Sequence, residues 1–438
     1  MKERIAKSFD IYANKLVQFS QANGRQFWLI FLFLLACTLV CITPFSGLSQ
    51  QLPAENETLT LTRSCPADNV KDLRELRGVW LTNVDSDVLF DRKRTTEAIA
   101  LLAESKFNTL YPTVWNWGYT LYPSKVSEDV TGLALDPHEG LKNRDILDEI
   151  VTAGHQQGMS VIPWFEFGFM APADSELAQR HPQWLTKRAD DSTIWWEGNV
   201  HQRVWLNPLR PDVQQFMTDL IVEIVSNYDI DGIQLDDHFG YPSEFGYDEY
   251  TVKLYQQEHQ GKLPPQDPKD PDWVRWRADK ITVYVENLFQ EIKSHNPQAI
   301  VSVSPNPQDF SLNSFLLDWY QWERKGLIEE LIVQVYRDRQ DSFIKELEQP
   351  AILAAKEHIP VGIGVLSGLK GRPILWHKIY QQVKIARERN FAGISFFFYE
   401  SLWNLATESP QRRQAALKNL FHHQAQRPNL SDCEFSSQ

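Results

Sequence analysis

The chain has 438 residues, with 44 Lys and Arg against 57 Asp and Glu, a formal charge of −13. That balance excludes a nucleic-acid binder, which needs a basic face to meet phosphates. Four cysteines exclude a disulfide-rich miniprotein, and 42% hydrophobic residues exclude a disordered chain.

The N-terminus stands apart from the rest. Residues 1–26 are a basic segment carrying Lys2, Arg4, Lys7, Lys15 and Arg25. Phe27 to Ile42 then runs sixteen residues without a charge, and no Lys or Arg follows until Arg63. This asymmetry predicts residues 1–26 in the cytoplasm and the remainder exported. Residues 27–44 read either as a cleaved signal peptide ending near Phe45-Ser46-Gly47 or as an uncleaved signal-anchor. The long basic segment favours the anchor, while Leu34-Leu35-Ala36-Cys37 also resembles a lipoprotein cleavage site. Either way the expected partner of this segment is the inner membrane, and the expected location of the rest is periplasmic or extracytoplasmic. Residues 45–73 read as a polar linker, 74–425 as one folded domain and 426–438 as a tail. The exported part would carry Cys65 and Cys433 near its two ends, and an oxidising compartment would let them pair.

From Leu76 onward, short β-rich runs alternate with longer amphipathic stretches. The predicted strands are 77–82, 109–115, 160–165, 232–237, 300–304, 331–336, 361–365 and 393–399. Predicted helices lie between them, for example 94–105, 145–155, 213–227, 273–293 and 374–389. No Gly-rich phosphate loop follows the first strand. Eight βα units in this length fit an α/β protein with a (β/α)8 TIM barrel, ahead of a doubly wound open sheet.

Barrel chemistry sits at the C-terminal ends of the strands. There the sequence collects Thr82-Asn83, Trp115-Asn116-Trp117, Trp164-Phe165-Glu166, Asp236-Asp237-His238, Ser304-Pro305-Asn306, Gln334-Val335-Tyr336-Arg337 and Tyr399-Glu400. Side-chain alternation points Gln234 and Asp236 inward and sends Asp237 to the outer rim. Trp164 shares parity with Glu166, and Gln334 with Tyr336. The eleven histidines show no metal-ligand spacing, so neither metal nor cofactor is expected.

Several segments carry a resemblance: Arg77-Gly78-Val79-Trp80-Leu81-Thr82, Tyr122-Pro123-Ser124-Lys125, Leu206-Asn207-Pro208, Tyr228 through Phe239, Val303-Ser304-Pro305 and Gln334-Val335-Tyr336. Together they resemble the bacterial glycosyl hydrolase-like 10 family over about residues 74–405. The resemblance implies an exported or lipid-anchored barrel acting on glycans, in some members the glycan strands of peptidoglycan. Two departures stand out. His238-Phe239-Gly240 replaces the family's frequent Tyr-Phe-Tyr, and Glu166 stands where Trp-Phe-Asn is usual.

Glycosidic cleavage needs one protonated and one ionised carboxyl group. Asp236 is the candidate nucleophile or base. Glu166 is the candidate acid, with Asp237 and Glu400 as alternates. Asn306, Gln334, Tyr336, His238 and Arg337 are candidate partners of sugar hydroxyls, and Trp115 and Trp164 candidate stacking platforms. Each has a structural alternative: Asp236 and Asp237 as helix caps, Glu166 bridged to Arg337, the tryptophans as packing. A barrel that binds glycan without cleaving it would keep the aromatics and lack the second acid.

Overall fold

The computed structural model describes residues 61–64, 73–428 and 434–437. The predicted signal or anchor segment, 27–44, lies outside them, as do Cys65 and Cys433. Among the described residues no helix is long and apolar enough to cross a membrane.

Nine strands form one parallel sheet: β1 (Leu76–Leu81), β2 (Thr109–Pro112), β3 (Ser160–Val161), β4 (Trp164–Phe165), β5 (Gly232–Asp236), β6 (Ile300–Ser304), β7 (Glu330–Gln334), β8 (Val361–Leu366) and β9 (Gly393–Phe397). Their order across the sheet is β3-β2-β1-β9-β8-β7-β6-β5-β4. Every predicted strand is therefore present, and the third is split in two. The cause is Pro163, which has no N–H to give the ladder. The two halves lie at opposite ends of the sheet, yet only residues 162 and 163 separate them. On one side Ile162 N donates to Leu110 O at 2.9 Å and Val114 N to Trp164 O at 3.0 Å. On the other, Asp231 N donates to Val161 O at 3.0 Å and Gln234 N to Pro163 O at 2.8 Å. The sheet thus curls until its first and last strands are successive parts of one segment.

Helices intervene between successive strands, β3 and β4 excepted, and their polarity explains their position. In α1 (Arg92–Glu104), Thr95, Ala98, Ile99 and Leu102 are buried, one stripe at helical spacing. Its N-cap is Asp91, whose carboxylate accepts from Arg94 N. The helix Pro211–Asn227 starts on proline, where no intrahelical donor is lost, and buries Val213, Phe216, Leu220, Ile221 and Ile224. Alternation along the strands sends Val79, Leu81, Leu110, Ile233, Leu235, Val301 and Val303 toward these helices, in the large core. The opposite face builds a smaller cluster inside the curl, from Trp80, Tyr111, Ile162, Trp164, Ile332 and Phe397. Burying each such side chain contributes on the order of 2 kcal/mol.

The segments at Leu73–Glu75 and Gln426 meet at the N-terminal edge of the sheet. Gln426 N donates to Leu73 O at 2.9 Å, and Glu75 N to Gln426 O at 3.0 Å. Farther out, Leu61–Ser64 pairs antiparallel with Glu434–Ser437, setting Ser64 opposite Glu434.

Candidate active site

The C-terminal strand ends bring three carboxylates and an imidazole together. Asp236 closes β5 and is 3% exposed. Register sets it beside Ser304, the last residue of β6, whose Oγ donates to Asp236 Oδ1 at 2.9 Å. Gln334, closing β7, donates Nε2 to the same oxygen at 2.7 Å. Two positions earlier, Gln234 also points inward, accepting from Trp80 Nε1 at 2.7 Å and donating to Ser302 Oγ at 3.0 Å. Inward alternation along β5 therefore holds.

Beyond the strand it fails. Asp237 does not turn to the outer rim. A 3₁₀ turn, Asp237–Phe239, abolishes the two-residue period and keeps Asp237 buried in the same cluster. Asn306 Nδ2 donates to its Oδ2. His238 Nδ1 lies 3.3 Å from Asp236 Oδ2, 3.2 Å from Asp237 Oδ1 and 2.9 Å from the Glu166 carbonyl oxygen. Burial works against charge on this imidazole, but Asp237 first, then Asp236 and the Glu166 carbonyl, outweigh it and raise the His238 pKa to about 10. His238 is the cation held between two carboxylates. Asp236 is pushed well up, by burial and then by the charge of Asp237, with His238 opposing. Gly168 permits this packing: its φ is +47°, and a Cβ there would stand 2.3 Å from the His238 carbonyl oxygen.

Glu166, one residue past β4, is 4% exposed. Its Oε2 accepts from Thr82 Oγ1 at 2.9 Å, Thr113 Oγ1 at 3.0 Å and Asn116 Nδ2 at 2.8 Å. Among the described residues no hydrogen bond reaches its Oε1. Arg337, the alternative partner, pairs instead with Glu346 at 3.0 Å and so points away from the acids. Burial lifts the Glu166 carboxyl to about 7; Thr82, Thr113 and the charge of His238 oppose, and Glu197 adds to the rise. Tyr336 has its ring stacked on Phe397 at 5.7 Å. Its phenol is pushed far up by burial and then by the charges of Asp236, Asp237 and Glu166.

Two other candidates sit elsewhere. Trp115 is no stacking platform: it is fully buried, donates Nε1 to Gly168 O at 2.9 Å and packs edge-on to Phe216 at 5.7 Å. Here β2 gives way to a tight hairpin, Trp115–Asn116 against Tyr119–Thr120, which delivers Asn116 rather than Trp115 to Glu166. Glu400 accepts from Ser86 Oγ at 3.3 Å and Asn404 Nδ2 at 2.6 Å, with no hydrogen bond to the three acids. Trp164 is 2% exposed and faces the interior, 5.9 Å from Trp80 and 6.2 Å from Phe397.

Sequence reasoning missed Thr113, which, with Thr82 and Asn116, anchors Glu166. These three lie at strand ends, where the same search rule applied to small polar residues would have found them. It also missed Trp205, whose ring lies 5.7 Å from that of His238, and the buried Glu197–Arg203 pair at 2.7 Å. They belong to a three-stranded antiparallel sheet, Met170–Pro172, Trp195–Glu197 and His201–Trp205, inserted after β4. No strand-parity rule reaches such an insertion.

Comparison with known proteins identifies the family. The model of the family "Glycosyl hydrolase-like 10" matches residues 75–384. The chain is 24% identical over 316 residues to glycosyl hydrolase DigH of Escherichia coli O6:H1, covering 62% of this chain and 67% of that protein. It is 25% identical over 305 residues to glycosyl hydrolase YngK of Bacillus subtilis, covering 61% of this chain and 55% of that protein. In fold it is similar to the PgaB (BpsB) glycoside hydrolase domain from Bordetella bronchiseptica, with TM-score 0.56 and 12% identity over 76% of this chain and 100% of that one. The chain belongs to the glycosyl hydrolase-like 10 family and is a glycosyl hydrolase.

Proposed function

We propose that this chain is an exported (β/α)8-barrel glycoside hydrolase that cleaves O-glycosidic bonds in a cell-wall or extracellular polysaccharide, such as the glycan strands of peptidoglycan. The observation that carries the mechanism is a contrast between two buried carboxyl groups at the strand ends. Glu166 has only neutral donors, all on one oxygen, and its pKa is lifted to about 7. Asp236 has donors from Ser304 and Gln334 on one oxygen and the His238 cation beside the other. Glu166 is then the general acid, giving a proton from Oε1 to the leaving glycosidic oxygen. Burial and Asp237 push the Asp236 carboxyl up and His238 opposes them, so Asp236 takes the second role in its ionised form, acting through Oδ2 either to attack the anomeric carbon or to take a proton from the attacking water. Asp237, held by Asn306, keeps His238 charged, and Tyr336 stays a neutral donor to sugar oxygens.

The test is Asp236→Asn. Release of reducing ends from a cell-wall glycan should fall by roughly four orders of magnitude, with the melting temperature little changed. Turnover like that of the wild type would remove Asp236 from the mechanism.

Export rests on the sequence alone: a basic segment, then an apolar run, then a polar linker. Protease added outside intact cells stripped of their outer layer should digest residues 50–438. Thiol titration of the exported fragment, denatured without reductant, decides between a Cys65–Cys433 bridge and two free thiols: two titratable thiols exclude the bridge and none supports it. A domain shielded until the membrane is broken would reverse the orientation.

A further inference from the structure

From the placement of the inserted sheet, we propose that Trp195 is a stacking platform for a sugar ring, one that neighbours the sugar being cut. The proposal rests on the reading that Glu166, Asp236 and His238 work at the scissile bond, and it adds a binding residue to the same cleft.

The sheet inserted after β4 has two faces, and alternation assigns each side chain to one of them. His201 lies opposite Glu197, Gln202 opposite Trp196 and Arg203 opposite Trp195. Trp195, Glu197, His201, Arg203 and Trp205 therefore share one face, and Trp196 and Gln202 lie on the other. Contacts show which face looks at the acids. The Trp205 ring lies 5.7 Å from His238 and 5.9 Å from Phe315, which is itself 6.3 Å from His238. The Arg203 guanidinium sits over the Phe167 ring at 5.1 Å. Phe167 follows Glu166 in the chain and lies 5.9 Å from His238. Arg203 is in turn fixed by Glu197 at 2.7 Å. The face is thus pinned to both halves of the site before any ligand arrives, which lowers the ordering cost of binding.

On this face, depth separates the aromatics. Trp205 is fully buried and can meet no ligand. Trp195 is half-buried, its ring 5.9 Å from Trp205 and edge-on to it at 81°, and 6.4 Å from Phe315. Trp195 therefore keeps accessible surface on the cleft side, two ring contacts out from His238. An indole there presents a broad apolar face that matches the C–H face of a pyranose, at low conformational cost. Two ring contacts out, that pyranose lies beside the sugar being cut rather than at the bond itself. Trp196 supplies the contrast. It is 48% exposed, but on the opposite face, turned away from the acids. Exposure alone would choose Trp196; the register chooses Trp195.

The experiment uses the full chain as wild type and with Trp195→Ala, Trp195→Tyr or Trp196→Ala. Each is assayed on soluble cell-wall glycan strands and on an aryl glycoside of one sugar, which is too short to reach Trp195. Retardation in a gel containing the strands reads binding apart from cleavage. Trp195→Ala should raise KM for the strands about tenfold, several times the change on the aryl glycoside, and lose most of the retardation. Trp195→Tyr keeps a ring and should recover most of that loss. Trp196→Ala should match the wild type. Where Trp195→Ala does not fold, Trp195→Leu, which keeps apolar bulk without a ring, is read in its place. A lower melting temperature with KM and retardation unchanged, an equal fall on both substrates, or a KM effect at Trp196 instead, overturns the proposal and leaves the catalytic roles standing. If the wild type cleaves neither substrate but its retardation depends on Trp195, the platform stands and the catalytic roles fall. Absence of both cleavage and retardation in the wild type overturns both.

Discussion

The two ends of the curled sheet bury acids in opposite ways. At the N-terminal edge, Glu330 accepts from Tyr111 OH at 2.9 Å and Ser302 Oγ at 2.8 Å, and pairs with Arg427. Nearby, Glu75 is held by Arg77 at 2.8 Å and Arg387 at 2.6 Å. Each carboxylate there has its own guanidinium. At the C-terminal edge, Glu166 has no guanidinium, and two aspartates share one imidazole. Burying a carboxylate is costly unless it is paired. The base meets that cost with partners; the mouth leaves it unmet, and raised carboxyl groups are the result. The difference teaches where chemistry is to be sought: in acids denied a partner, more than in acids as such.

Glu166→Gln breaks this contrast most sharply. As general acid Glu166 must be protonated, so activity should fall as pH rises through about 7. The Gln variant should lose that basic limb. It should also lose roughly a thousandfold in rate on natural glycans, yet keep most of its rate on aryl glycosides whose leaving group needs no proton. A basic limb that survives in the variant assigns the acid elsewhere. Stability should move with the same proton. The folded pKa lies above the unfolded one, so the folded state binds more protons between about 4.5 and about 7. Stability therefore declines as pH climbs through that window, by up to about 3 kcal/mol. Glu166→Gln should flatten the decline, which denaturant melts across the window would reveal.

At the base the effect should be purely structural. Glu330→Gln leaves Arg427 buried and unpaired, a loss of about 3–5 kcal/mol. The kcat of the folded enzyme should stay within about twofold. Adding Arg427→Met to Glu330→Gln should restore most of the lost stability. Failure of the double variant to recover, in thermal melts, would show that Arg427 holds more than this pair. Arg427 lies beyond the stretch that matches the family, so this part of the base belongs to the chain's own C-terminal segment.

How far this division was legible follows from periodicity. Strand alternation placed Gln234, Asp236 and Gln334 inside, because two-residue geometry holds until the last strand residue. It failed at Asp237, where a 3₁₀ turn begins, and at Trp115, where a hairpin replaces the strand. Pairing was less legible still. Nothing in the sequence says that Arg337 goes to Glu346 rather than to Glu166, or that Arg427 returns to Glu330 across the fold. Such partners lie 9 and 97 residues apart and are chosen by tertiary packing. The Trp205 and Arg203 insertion carries no period that a strand-end rule can use.

The smallest expected effect separates two tryptophans that look alike in sequence. Trp115 spends its indole N–H on the carbonyl oxygen of Gly168, the glycine that lets the loop close on His238. Trp115→Phe removes that bond and some packing, so stability should drop by about 1–3 kcal/mol while KM changes little. Trp164 gives its N–H to nothing in the protein. Trp164→Phe therefore loses no internal hydrogen bond, and its stability cost should be the lesser of the two. If the indole N–H is held for a sugar oxygen, KM should instead rise several-fold, with kcat less affected. The two variants should thus move opposite quantities, one the melting temperature and the other KM. Should Trp164→Phe leave KM unchanged, the unpaired N–H is a cost of packing the aromatic cluster with Trp80 and Phe397, and the sugar is held by Tyr336 and the asparagines.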